Sequence, residues 1–138
     1  MSGDTVTGES LQFTDDNKYA YAQGGLIDSS TSEVTQLKFT THEPYIIATI
    51  MFNGGVDPAN ITNGIDTIFY ILINSKKIAA IKVESNLEDM PSTYLYEILI
   101  PSYSDFEITA DSTFTGYKTS VSLTGKVGMA PRVGNLVE

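Results

Sequence analysis

Residues 118–127, KTSVSLTGKV, alternate without a break. Thr119, Val121, Leu123, Gly125 and Val127 fall on one parity, and Lys118, Ser120, Ser122, Thr124 and Lys126 on the other. A period of two sends successive side chains to opposite faces of an extended strand, so this segment can bury one face and wet the other. At helical spacing the same apolar residues would scatter around the cylinder.

The remaining apolar segments share this β character. Residues 44–53 (PYIIATIMFN) and 66–74 (DTIFYILIN) are apolar on both parities, with Ile46, Ala48, Ile50 and Phe52 set against Tyr45, Ile47 and Met51 in the first. Strands of that kind are covered on both faces, in a central sheet or at an interface. The polar break NSKK before IAAIKVE predicts a hairpin. Residues 93–101, TYLYEILIP, place Tyr94, Tyr96, Ile98 and Ile100 on one parity and stop at Pro101. Residues 105–112 and 33–41 are shorter strands, and Val34 is out of step with Leu37 and Phe39, which predicts a bulge. ESLQFTD and KYAYAQGGLID add two or three more. Helical periodicity nowhere exceeds about two turns, the closest approach being residues 84–92.

Eight to ten short strands separated by turn residues predict an all-β chain. Its expected form is a two-sheet antiparallel β-sandwich of jelly-roll type, because short strands hide their apolar faces best by packing sheet on sheet. The expected organisation is an N-terminal arm over 1–8, a sandwich domain over 9–127 and a C-terminal arm over 128–138, where Gly128, Pro131 and Gly134 break the strand pattern.

Charge and composition narrow the function. Seventeen acidic residues against 8 basic ones give a net charge of −9. Phosphate backbones and anionic membranes are held by Lys and Arg, so neither nucleic acid nor membrane is an expected partner. The absence of cysteine removes disulfides, thiolate metal sites and cysteine nucleophiles together. The N-terminal MSGDTVTGES has neither a basic region nor an apolar run, and the expectation is synthesis in the cytoplasm without a signal peptide.

Few residues invite chemistry. The loop FNGGVDPANITNGIDTIF spaces Asp57, Asn60, Asn63 and Asp66 three residues apart. These are oxygen ligands of the kind calcium takes, although their spacing is not that of an EF-hand and the same residue types make turns. No other cofactor is expected. His42, the single histidine, precedes Pro44 and has no Gly-x-Ser-x-Gly elbow to serve. The carboxylates Glu88–Asp89, Asp15–Asp16 and Glu107 fall in turns or at wet strand positions and form no glycosidase pair. The eight tyrosines stand out more, with Tyr19 and Tyr21 sharing one strand face and Tyr94 and Tyr96 another. Alternate tyrosines can line a protein interface or stack on a glycan.

Two further patterns carry a resemblance. An apolar strand ends at a proline and is followed by a polar F-x-I-T-A strand, from Ile98 to Ala110, and a closing S-L-T-G-K-V strand runs from Ser122 to Val127. In this order, over most of residues 17–128, the chain resembles small phage and viral virion proteins, the single jelly-roll or β-sandwich capsid, decoration and spike components. The resemblance implies no catalytic residues. It implies a non-enzymatic virion structural protein located in the virion, acting on copies of itself, with a trimer favoured, and on other virion proteins. Tyr45, Met51, Tyr94 and Tyr96 are the expected interface residues. The alternatives are a carbohydrate- or receptor-binding module and a subunit of an extracellular β-rich filament.

Overall fold

The computed structural model describes residues 11–56, 65–85 and 93–129. Ten strands follow in chain order: β1 (Gln12–Phe13), β2 (Tyr19–Gln23), β3 (Ile27–Asp28), β4 (Val34–Thr40), β5 (Pro44–Val56), β6 (Ile65–Ile73), β7 (Lys76–Ser85), β8 (Thr93–Ile100), β9 (Asp105–Ser112) and β10 (Lys118–Met129). They form two antiparallel sheets. The first has the order β1-β2-β10-β5-β8, with β3 also pairing to β10; the second has the order β4-β9-β6-β7. The chain is therefore an all-β sandwich, as its patterning predicts.

Inward parities supply the core. In the first sheet, Ala22, Leu123 and Ile50 stand side by side across β2, β10 and β5, followed by Tyr96 on β8. In the second, Leu37, Ile108 and Ile71 do the same across β4, β9 and β6. Phe52 of the first sheet meets Phe69 of the second with ring centroids 4.9 Å apart, and both are fully buried. Phe39 and Phe106 stack at 5.1 Å within the second sheet. Removing this much apolar area from water is the main driving force for closure of the sandwich.

The polar groups caught inside are all paired: no buried side-chain nitrogen or oxygen lacks a partner among the described residues. Gln36 is fully buried at the β4 bulge, which falls between Thr35 and Leu37 where Val34 goes out of step. Its side-chain oxygen accepts from Thr119 Oγ1 of β10 at 3.1 Å, tying one sheet to the other. Thr41 Oγ1 donates to the Pro101 carbonyl at 2.7 Å and so closes the turn after β4.

Local chemistry sets the turns. Asn74 and Ser75 both take positive φ (54° and 68°), the geometry a two-residue hairpin requires. Asn74 also accepts the Asp105 amide at 2.9 Å. The hairpin loop is thus shorter than the four-residue break suggests, since Lys76 and Lys77 already belong to β7. The end of β10 differs from expectation as well. Gly128 and Met129 pair with Tyr45 and Pro44, extending the strand two residues past the predicted boundary. At Gly128 the tip of the Tyr45 ring occupies the space a Cβ would take, so a larger residue there would displace that ring. Residues 1–8 and the remainder of the C-terminal arm lie outside the described residues.

Candidate functional site

The two outward faces of the sandwich differ in chemistry. On the second sheet, ionic and hydroxyl groups satisfy one another. Lys77 on β7 reaches over the Tyr70 ring of β6, its ammonium 4.1 Å from the ring centroid, and meets Glu33 at 2.5 Å just before β4. Thr109 of β9 donates to the other oxygen of the same carboxylate at 2.8 Å. This strap crosses all four strands of the sheet. Around it Tyr70 donates to Asp111 (3.3 Å), Thr35 to Glu107 (2.8 Å) and Thr40 to Asp105 (2.9 Å).

The strap shifts its own titrations. The hydrogen bond from Lys77, then that from Thr109, holds Glu33 below the ordinary glutamate value of 4.5. The bond to Glu33 raises Lys77 above 10.5. Desolvation, then the Asp111 charge, raises Tyr70 above 10.0. A depressed carboxylate stabilises the fold above pH 4.5 and loses that contribution as pH falls through its folded value. Lys77 contributes fully below 10.5 and loses its share as pH rises through its folded value. Tyr70 acts in the same direction from 10.0 upward, because the unfolded phenol gives up its proton first. Denaturant midpoints measured against pH are therefore expected to decline at both extremes, and Lys77→Met should flatten the acid decline, because it removes the largest cause of the Glu33 shift.

The outer face of the first sheet is built otherwise. Three cross-strand rows run over β2, β10, β5 and β8: Tyr19–Lys126–Ile47–Leu99, Tyr21–Thr124–Thr49–Glu97 and Gln23–Ser122–Met51–Leu95. Their only charges are Lys126 and Glu97. Ile47 (51% exposed) and Leu99 (52%) form one open apolar pair across β5 and β8, and Met51 (40%) and Leu95 (58%) another, with Thr49 and Glu97 between the two. Toward β2 the face sinks into a groove of about 470 Å³ lined by Tyr19, Tyr21, Thr49, Glu97, Thr124 and Lys126. The side-chain polar groups of these six make no hydrogen bond to another described residue, whereas the threonines on the opposite face are tied to carboxylates.

Of the expected interface residues, the structure places Met51 and Tyr45 on this outward parity. Tyr94 and Tyr96 lie on the other one, opposite Phe52 and Ile50, and Tyr96 packs against the core. The residues that complete the apolar face, Ile47, Leu95 and Leu99, were not among those expected. Ile47 shares the parity of Tyr45 and Met51, and Leu95 and Leu99 stand on the second apolar parity of TYLYEILI; that doubled parity was the available signal.

Asp57, Asn60 and Asn63 of the candidate calcium loop lie outside the described residues. Asp66 opens β6 with its carboxylate 3.7 Å from Lys82, which also approaches Glu84 at 3.4 Å. Among the described residues no group of three or more His, Asp or Glu could hold a metal ion. His42 is exposed between β4 and β5, its carbonyl accepting the Tyr103 amide at 2.9 Å. Glu107 is engaged by Thr35 and Asp16 by Thr14 (2.7 Å), while Glu88 and Asp89 lie outside the described residues. Comparison with protein-family models and with curated protein sequences finds no match.

Proposed function

We propose that this chain is a non-enzymatic virion structural protein, a capsid-associated or decoration β-sandwich that acts by self-association and subunit contacts. The observation that carries this reading is the exposed apolar pairs Ile47–Leu99 and Met51–Leu95 on one sheet, set against an outer face on the other where a lysine and several threonines are tied to carboxylates. A chain with net charge −9 repels its own copies. Across its three outer rows the face of the first sheet carries one charge of each sign, Lys126 and Glu97, so copies can meet there, and exposed apolar groups on such a face are a usual mark of an interaction site. The strand orders β2-β10-β5-β8 and β4-β9-β6-β7 support the jelly-roll form of the sandwich, the architecture used by viral capsid and lectin domains. The acidic surface favours a position away from packaged genome.

A second reading has its own observation, the groove with two exposed tyrosines above threonine hydroxyls that have no side-chain partner among the described residues. Aromatic rings take the apolar face of a sugar, and free hydroxyls and a carboxylate take its hydroxyls. On this reading a glycan binds at Tyr19 and Tyr21, not at Tyr94 and Tyr96.

Negative-stain microscopy and sedimentation in physiological salt test the two together. Discrete oligomers are expected, reduced to monomers of unchanged melting temperature by Ile47→Asp with Met51→Asp. Monomers at all concentrations, binding a glycan array in a manner lost with Tyr21→Ala, would replace the first reading by the second.

A further inference from the structure

The sandwich has four sheet edges, and three of them are guarded. On the first sheet, β1 is only two residues long, and a short edge offers little to a template-seeking strand. On the second sheet, β4 is bulged at Gln36 and carries Lys38, and β7 carries Lys76, Lys77 and Lys82 and breaks register between Ile71 and Leu72 of β6. Bulges and edge lysines are the devices by which soluble proteins prevent strand addition.

The fourth edge, β8, has none of them. It is eight residues long, TYLYEILI, with no lysine and no proline inside it, and its register with β5 runs unbroken from Ile46–Ile100 to Asn53–Thr93. Its other side has no strand partner among the described residues. Leu95, Leu99 and Tyr94 are about half exposed along it. Tyr94 is exposed although it sits on the inward parity, as a side chain would be whose neighbouring strand is missing.

We propose that β8 is a seam, pairing antiparallel with β8 of a second copy across a two-fold axis to make one continuous sheet. This rests on the self-association reading above and adds an edge contact to its face contact. A basic partner would find a single carboxylate, Glu97, on this strand, and an acidic one would find no cation; a mainly apolar strand of the same kind is what fits, and a second β8 is one provided its Glu97 is not set against this one. A two-fold axis normal to the sheet sets outward residues against outward residues. Centred on Glu97, it would face two carboxylates against each other, which is destabilising. Centred on Tyr96, it pairs residues 93–99 of each copy. Glu97 then lies across from the partner's Leu95, Thr93 from the partner's Leu99, and Tyr94 gains the partner's Ile98 as its neighbour. A dimer is the smallest closed unit of such a seam, and a trimer would need a further contact.

The absence of cysteine makes the test clean, since each introduced thiol is the only one. Thr93→Cys and Leu99→Cys change exposed positions of the full chain. A mixture of the two variants treated with a short bismaleimide is expected to give a cross-linked heterodimer, and neither variant alone should cross-link. Leu95→Glu, which would set a second carboxylate directly across from the partner's Glu97, should weaken dimerisation at least tenfold in sedimentation while leaving the melting temperature unchanged. Dimers that cross-link only through Ile47→Cys or Met51→Cys would overturn the seam and leave self-association standing. A wild-type chain that stays monomeric up to millimolar concentration would overturn both.

Discussion

Replacing Phe69 by alanine is expected to destabilise the fold by about 3–5 kcal/mol, the usual cost of removing a buried aromatic ring. Phe69 on β6 and Phe52 on β5 meet across the sandwich with no exposure and an interplanar angle of 42°. The cost lies at the upper end for a geometric reason. The sheets are held about 10 Å apart by all their other inward side chains, so they cannot collapse onto the void. Total stabilities of about 5–15 kcal/mol leave little after such a loss. Denaturant titration of Phe69→Ala checks it, with Leu72→Ala on the outward parity of the same strand as the control that should change far less.

The second large effect is expected at Gly24, where the chain leaves β2. Gly24 donates its amide to the Val121 carbonyl at 2.9 Å and lies against the Gln36 backbone of the opposite sheet. A Cβ there would lie deep inside van der Waals contact of the Gln36 carbonyl oxygen. The obstacle is backbone, already fixed by the bulge and by the bond between Gln36 and Thr119, so it cannot swing aside as a side-chain tip would. Gly24→Ala should therefore cost about 1–3 kcal/mol or more, as overpacking does. Gly25 is the matched comparison. It has open space around it and a positive φ of 77°, so alanine there meets backbone strain without a clash. A thermal shift for Gly24→Ala no larger than that for Gly25→Ala would refute the close-approach account.

How far the fold could be read in advance depended on whether a strand's two parities differ. In β10 they do, and Thr119, Val121 and Leu123 are buried as the alternation requires. The out-of-step Val34 likewise gave away its bulge. In β8 both parities are apolar, so period two marks a strand without marking its inside. Only the pairing of Tyr94 and Tyr96 with Phe52 and Ile50 reveals that the tyrosines turn inward and the leucines outward. The groove is equally invisible in sequence, because Tyr21 and Thr124, opposite each other in the sheet, are some hundred positions apart along the chain. Gly128 reads as part of a tail for a related reason: its role, leaving room for the Tyr45 ring, is set by a strand far upstream.

The position of β10 has a consequence for how the protein comes to be made. The last of the described strands lies between β2 and β5, and it is the strand on which the first sheet depends. Until residues 118–129 have been synthesised, β2 can pair only with the two-residue β1, while the hairpin of β6 and β7 can already close. Pairings this distant in sequence fold slowly, on millisecond to second scales. A nascent chain would therefore complete its first sheet only in a late step, once β10 has emerged from the ribosome to join β2 to β5.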